Sequence, residues 1–252
     1  MRLTLHHLII MGLDLCHIRL QCSMANVQHL KFSHSEHYKD KLRTTRIVKN
    51  GSARSMLHCS QLCSEMETCI SFFHNKITRH CSLHDVIFFS PDDGTDCPGM
   101  KYYVFDHGGC SFTKGFIYSR VSQVCFSIRT TDGFMTWPDS KVFCKFRKLR
   151  LATVDSKEKY EYTVATIREN SRFLTTANYY IGLSDRAKEG KFVWIDGTPA
   201  HWTKWSPGRP KTDVKRNCVM LGGNAEYNEE LKFVEKDCGK NRFRWICEKV
   251  LT

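Results

Sequence analysis

The spacing of apolar positions changes along the chain, and the changes mark out its elements. From Tyr180 to Cys247 the apolar and β-branched residues come in short runs bounded by Gly, Pro, Asn or Asp: Tyr180-Ile181-Gly182-Leu183, Val193-Trp194-Ile195, Asn217-Cys218-Val219-Met220 and Trp245-Ile246-Cys247. Such runs predict brief strands joined by tight turns, and no helical period interrupts them. Upstream, Cys59, Leu62, Cys63 and Met66 recur at helical spacing, which predicts a short helix beginning near Ser55 with two cysteines on one face. Ile70-Ser71-Phe72-Phe73, Cys81-Ser82-Leu83 and Lys101-Tyr102-Tyr103-Val104-Phe105 read as strands, as do Gly115 to Tyr118 and Val124 to Ile128. Thr136 caps a predicted helix through Asp139, with Pro138 tolerated in its first turn and Trp137, Ser140 and Cys144 on one face. After a strand at Leu151 to Val154, Asp155 or Ser156 caps a second helix with Tyr160, Val164 and Ile167 as its buried stripe.

Thirteen cysteines change this picture, because at short intervals in a chain of 252 residues they indicate a disulfide-stapled protein from an oxidising compartment. Secretion is the expectation. Residues 1–25 read as a secretory signal peptide whose apolar run, Leu8 to Leu13, is interrupted by charged and histidine residues, with Ser23-Met24-Ala25 as a cleavage site. No run reaches the roughly 18 apolar residues needed to span a bilayer, so no transmembrane span is expected. An apolar content of 41% with 12% aromatics is that of packed globular protein, enough for two domains. A net charge of +12 favours anionic partners, with solubility alone as the plain alternative. Asn50-Gly51-Ser52 is a glycosylation sequon.

The ordered motifs Tyr180-Ile181-Gly182-Leu183, Trp194-Ile195-Asp196-Gly197-Thr198-Pro199 and Trp205-Ser206-Pro207-Gly208 make the C-terminal half resemble a C-type lectin-like domain. The resemblance extends up to Cys110, where Cys110 and Cys125 are placed to close a hairpin in the long form of that domain. It assigns Cys144 to Cys247 and Cys218 to Cys238. The helix bearing Cys59 and Cys63, followed by Cys69 and Cys81 among strands, is similar to a PAN/apple domain. That resemblance pairs Cys59 with Cys81 and Cys63 with Cys69, and a further bond between Cys22 and Cys97 is open to it unless leader cleavage removes Cys16 and Cys22. Zinc held by Cys59, Cys63, Cys81, His58, His80 and His84 is the competing account, although their spacing contains no standard Cys-x-x-Cys pair. The implied class is α+β: a PAN/apple-like domain (26–105, one helix on an antiparallel sheet), a linker (106–109) and a lectin-like domain (110–251, two helices and two small antiparallel sheets).

Calcium-dependent members of the lectin-like family hold the ion with oxygen ligands from a Glu-Pro-Asn or Gln-Pro-Asp loop and a Trp-Asn-Asp strand. Here Arg209-Pro210-Lys211 stands in the loop and Phe233-Val234-Glu235 on the strand. Two cations and an apolar side chain replace ligands, so the standard site is expected to be lost and no cofactor is expected. Asp213, Asn217 and Glu235 are the residues from which a calcium site could be rebuilt. In place of the acidic cluster is a basic one, Lys204, Arg209, Lys211, Lys215 and Arg216, fit for sulfate, phosphate or carboxylate. Its plain alternative is a solvated loop. Trp194, Trp202, Trp205 and Trp245 read as structural. No nucleophile or acid/base constellation stands out, so a non-enzyme is expected, and nothing beyond net charge suggests nucleic acid. The reading that results is a secreted recognition protein for glycans or glycoproteins, anionic ones favoured, with Lys204, Arg209, Lys211, Lys215, Arg216 and Glu235 as ligand-binding residues. Its competitor is a protein-interaction or adhesion module without sugar binding.

Overall fold

The computed structural model describes residues 31–211, 213–223, 226 and 230–251. The expected leader, its cleavage site, Cys16 and Cys22 lie outside the described residues. Residues 32 onward form one compact unit.

Its first part is a five-stranded antiparallel sheet built from β1 (Phe32–Ser35), β3 (Ile47–Ser52), β4 (Ser71–Asn75), β5 (His80–His84) and β7 (Met100–Phe105), in the order β1-β7-β4-β5-β3. Two short strands, β2 (Lys41–Leu42) and β6 (Thr95–Asp96), pair beside it. Helix α1 (Met56–Ser64) starts at Ser55, whose hydroxyl accepts the His58 N–H, and turns Cys59 and Cys63 into the protein. Disulfides Cys59–Cys81 and Cys63–Cys69 fix it to the sheet, around a core that includes Ala53, Phe72 and Leu83. Those sulfurs are consumed in covalent bonds, so the zinc alternative lacks its thiolates, and His84 is engaged through Nδ1 with Thr45 O and through Nε2 with Ser82. Cys97 has no disulfide partner among the described residues. Asn50 is exposed on β3, the edge strand.

The expected linker is tied down: His107 pairs with Cys110 by backbone hydrogen bonding and its ring stacks on Tyr118 at 4.5 Å. The second part holds β8 (Ile117–Ser119), β9 (Val124–Arg129), α2 (Trp137–Phe146), β10 (Arg150–Leu151), α3 (Lys157–Arg168), β11 (Tyr179–Ser184), β12 (Val193–Trp194), β13 (Cys218–Gly222), β14 (Lys232–Lys236) and β15 (Arg244–Lys249). The strands run β14-β13-β11-β15-β9-β8, with β12 on β11 and β10 on β15. One group, β12 with β11, β13 and β14, joins the other, β10 with β15, β9 and β8, through the parallel pairing of Tyr179 and Tyr180 with Arg244 and Trp245. Thr136 caps α2 and Ser156 caps α3 through their hydroxyls. Disulfides Cys110–Cys125, Cys144–Cys247 and Cys218–Cys238 staple the opening hairpin, α2 to β15, and β13 to the segment after β14. Trp137, Cys144, Tyr180, Met220, Val234 and Trp245 pack into one buried cluster. Gly182 is required in β11, since a Cβ there would lie 2.9 Å from both the Leu151 carbonyl and the Ile195 side chain.

The two parts share a polar seam. Arg120, just after β8, donates to the carbonyls of Cys63, Ser64, Met66 and Cys69, the end of α1 and the turn beyond it. Asn170, fully buried past the end of α3, accepts from Phe89 N at 2.5 Å and donates to Ile87 O at 3.0 Å. Arg43, 7% exposed, lies 4.7 Å over the Phe88 ring and reaches Glu169 at 3.0 Å and Asp93 at 3.3 Å. Buried polar groups fit only when they are paired in this way.

Candidate long-loop recognition site

Strand β14 carries a fully buried acid. Phe233 and Glu235 alternate with Val234, so Val234 packs into the apolar cluster beneath while Glu235, 0% exposed, serves the loop side. The loop is anchored to the same strand, because Phe233 N donates to Lys204 O at 2.7 Å and Ser206 N to Phe233 O at 2.9 Å. Trp205 packs edge-on against Phe192 and Phe233, and Trp202 against Phe233. The chain then turns through Gly208 (φ 72°), a left-handed conformation suited to glycine, closes with Arg209 N donating to Ser206 O at 3.0 Å, and passes a cis Arg209–Pro210 bond.

This turn delivers Arg209 inward. Its Nη1 lies 2.7 Å from Glu235 Oε1, and the same oxygen accepts the Lys211 N–H at 3.0 Å. The Arg209 side chain is only 11% exposed. Glu235 Oε2 is buried with no hydrogen-bond partner among the described residues. A guanidinium therefore sits on the carboxylate that a bound cation would need.

The basic cluster read from the sequence is thereby divided. Arg209 is an internal counter-ion rather than part of an exposed surface, and Arg216 Nε is 3.0 Å from Asp213 Oδ2, a carboxylate that also accepts the Lys215 N–H at 3.1 Å. Asp213 N in turn donates to Glu189 Oε1 at 3.0 Å. Lys204, Lys211 and Lys215 are exposed. Of the residues considered for a rebuilt calcium site, the Asp213 carboxylate holds Arg216 and the Lys215 N–H, Glu235 Oε1 holds Arg209 and the Lys211 N–H while its Oε2 has no hydrogen-bond partner among the described residues, and the Asn217 backbone carbonyl accepts the Asp185 N–H at 3.2 Å. Nearby, the backbone N–H groups of Gly239 and Lys240 donate to Asp237 and hold its carboxyl below the usual aspartate range. Trp194 and Trp245 are buried; Trp202 and Trp205 are half-buried around Phe233. What the sequence did not single out is the inward role of Arg209; its only local signal is that a cation stands two residues after the family's Trp-x-Pro and opposite Glu235.

A family model for the lectin C-type domain matches residues 134–249. The salivary C-type lectin 2 of Aedes albopictus is 31% identical over 117 residues, covering 45% of this chain and 77% of that protein. The chain belongs to the C-type lectin family. The low affinity immunoglobulin epsilon Fc receptor of Mus musculus is 27% identical over 121 residues, 48% of this chain and 33% of the receptor, so the chain spans about a third of that relative's length. Among solved structures, the SPL-1–GlcNAc complex is similar with a TM-score of 0.46 and 26% identity, over 56% of this chain and 96% of that one. Within the C-type lectin domain, the long loop and β14 thus carry an arginine–glutamate pair. No helix among the described residues is long and apolar enough to cross a membrane.

Proposed function

We propose that this C-type lectin is an extracellular, non-catalytic recognition protein that binds glycans or glycoproteins without a bridging calcium ion, and that anionic glycans are its preferred ligands. The observation that carries the reading is the Arg209–Glu235 contact of 2.7 Å, in which an internal cation neutralises the strand carboxylate and closes the loop onto it. A hard divalent ion needs several oxygens at short range, and here Glu235 Oε1 and the Asp213 carboxylate are already engaged by Arg209, Arg216 and backbone donors. The exposed ammonium groups of Lys204, Lys211 and Lys215 remain to meet sulfate or carboxylate on a sugar. Five disulfides support an oxidising, extracellular setting. The first part of the chain, with its helix disulfide-bonded to a five-stranded sheet, supports the PAN/apple-like reading of residues 26–105 on the same footing.

A glycan array probed with refolded protein tests this directly. Sulfated or carboxylated glycans should score above neutral ones, and adding chelator should change nothing. Calcium should also leave the melting temperature in place, since an ion without a site in the folded state has no folded-state affinity to contribute. Signals confined to neutral sugars and erased by chelator would overturn the proposal. An empty array would favour the protein-interaction alternative.

A further inference from the structure

The outer face of α2 is used by nothing described so far. Trp137, Ser140 and Cys144 take the helix's inner side into the core. Lys141, whose Nζ lies 5.8 Å from the Trp137 ring centroid, and Lys145 flank that inner side one turn apart, and Val142 and Phe146, also one turn apart, stand beyond them on the outer side. Val142 is 66% exposed and Phe146 85%. Arg147 and Lys148 follow at the helix end, and all four cations are exposed with no ion pair among the described residues. The two carboxylates of this stretch are occupied: Asp139 accepts from Thr136 at 2.6 Å, and Asp132 holds Arg129 at 2.7 Å. Cations near a helix C-terminus complement its dipole, which accounts for Lys145 and Arg147. It does not account for a bare phenylalanine and valine set among them.

Beside the helix end lies a cleft of about 300 Å³ with Lys114, Arg129 and Arg147 around it and Phe116, Phe143 and Leu149 in its walls. The Arg147 guanidinium lies 3.7 Å from the Phe143 ring centroid, which covers that ring face. The Phe143 ring face is therefore capped by cations and is a poor platform for stacking a sugar ring, whereas Val142 and Phe146 are left bare and protrude. Exposed lysines around protruding apolar side chains, next to a cleft that is basic at its rim and apolar in its walls, match a surface of anionic headgroups over acyl chains.

We propose that the outer face of α2 docks on an anionic lipid bilayer, with Lys141, Lys145, Arg147 and Lys148 meeting the headgroups and Val142 and Phe146 entering the interface. This surface is distinct from the long loop and stands or falls independently of the glycan reading. The test is co-sedimentation of the full chain with vesicles of phosphatidylcholine alone and of phosphatidylcholine mixed with phosphatidylserine, in chelator throughout. Binding is expected only to the mixed vesicles and should fall as salt rises, because exposed charges are screened over about 8 Å at physiological ionic strength. Lys141→Glu with Lys145→Glu, and separately Val142→Ser with Phe146→Ser, should each weaken it by about tenfold or more, at unchanged melting temperature. The serine pair should leave retention on heparin as it was. No vesicle binding, equal binding to both vesicle types, or binding indifferent to the serine pair would overturn the proposal. Lysine-dependent retention on heparin without vesicle binding would do the same and assign the face to a sulfated glycan.

Discussion

Two buried ionisable groups set the predictions that belong to single residues. His84 is fully buried against Phe73 and Phe88, and burial pushes its pKa down to about 4. The folded protein therefore holds the ring neutral while the unfolded chain protonates it near the ordinary value of about 6.5. Between those limits the unfolded state binds more protons, so this contribution is complete above about pH 6.5 and is lost as pH falls toward 4, by up to about 3 kcal/mol. Urea unfolding at about pH 7 and about pH 4.5 should show that loss in the natural chain, and His84→Gln should flatten it; an unchanged pH dependence in the variant would assign the loss to other groups. The second group is Glu235. Arg209→Ala would leave its carboxylate buried without a counter-ion and should cost about 3–5 kcal/mol, whereas Arg209→Met combined with Glu235→Leu should recover most of that stability. If the single variant unfolds at the same denaturant concentration as the natural chain, the pair is ornamental and the loop is held by its backbone contacts alone.

Among the elements, α1 is the one whose end depends on a distant side chain. The last carbonyls of a helix lack intrahelical partners, and four carbonyls at and beyond the end of α1 are met by one guanidinium, Arg120. Arg120→Ala should lower stability by about 2–3 kcal/mol and speed hydrogen exchange in the last turn of α1 while both of its disulfides persist; exchange unaltered there would show that water replaces the guanidinium without loss. This contact also shows where reading the sequence stops. The helices at Met56, Trp137 and Lys157 were legible because cap, period and buried stripe all lie within a dozen residues, and the strands from Tyr180 to Trp245 because turn residues bound each apolar run. Strand β3 was not: Ile47 to Ser52 pairs on one side only, and five of its six residues are exposed, so no apolar alternation betrays it. Arg120, Arg43 and Asn170 are lone polar residues whose partners lie some 50 to 126 positions away, a relation that no local pattern encodes. At the site the residue types at Arg209, Lys211 and Val234 could be read directly from the sequence. The inward turn of Arg209 could not, since a run of cations between two polar segments reads as solvated surface.

At the scale of the whole molecule, the polar seam joins the two parts although no disulfide crosses it among the described residues. Ser171 N reaches Asp93 at 2.9 Å and Arg172 N reaches Ser90 at 3.2 Å, adding to the contacts of Arg43, Arg120 and Asn170. A chain cut to residues 106–251 should keep its three disulfides yet melt at least about 5 °C below the full chain, because it exposes Asn170 and its neighbours unpaired. Equal melting temperatures would mean that the seam contributes no stability. Covalent connectivity has a different consequence, a mechanical one. Cys247 lies near the end of the described chain and is bonded to Cys144, 103 residues earlier. Tension applied between the two ends is carried by that crosslink once the outer strands yield, so the chain between Cys144 and Cys247, the long loop included, is shielded from stretching. At about 3.4 Å per extended residue, roughly 350 Å of contour length stays locked until a reductant releases it.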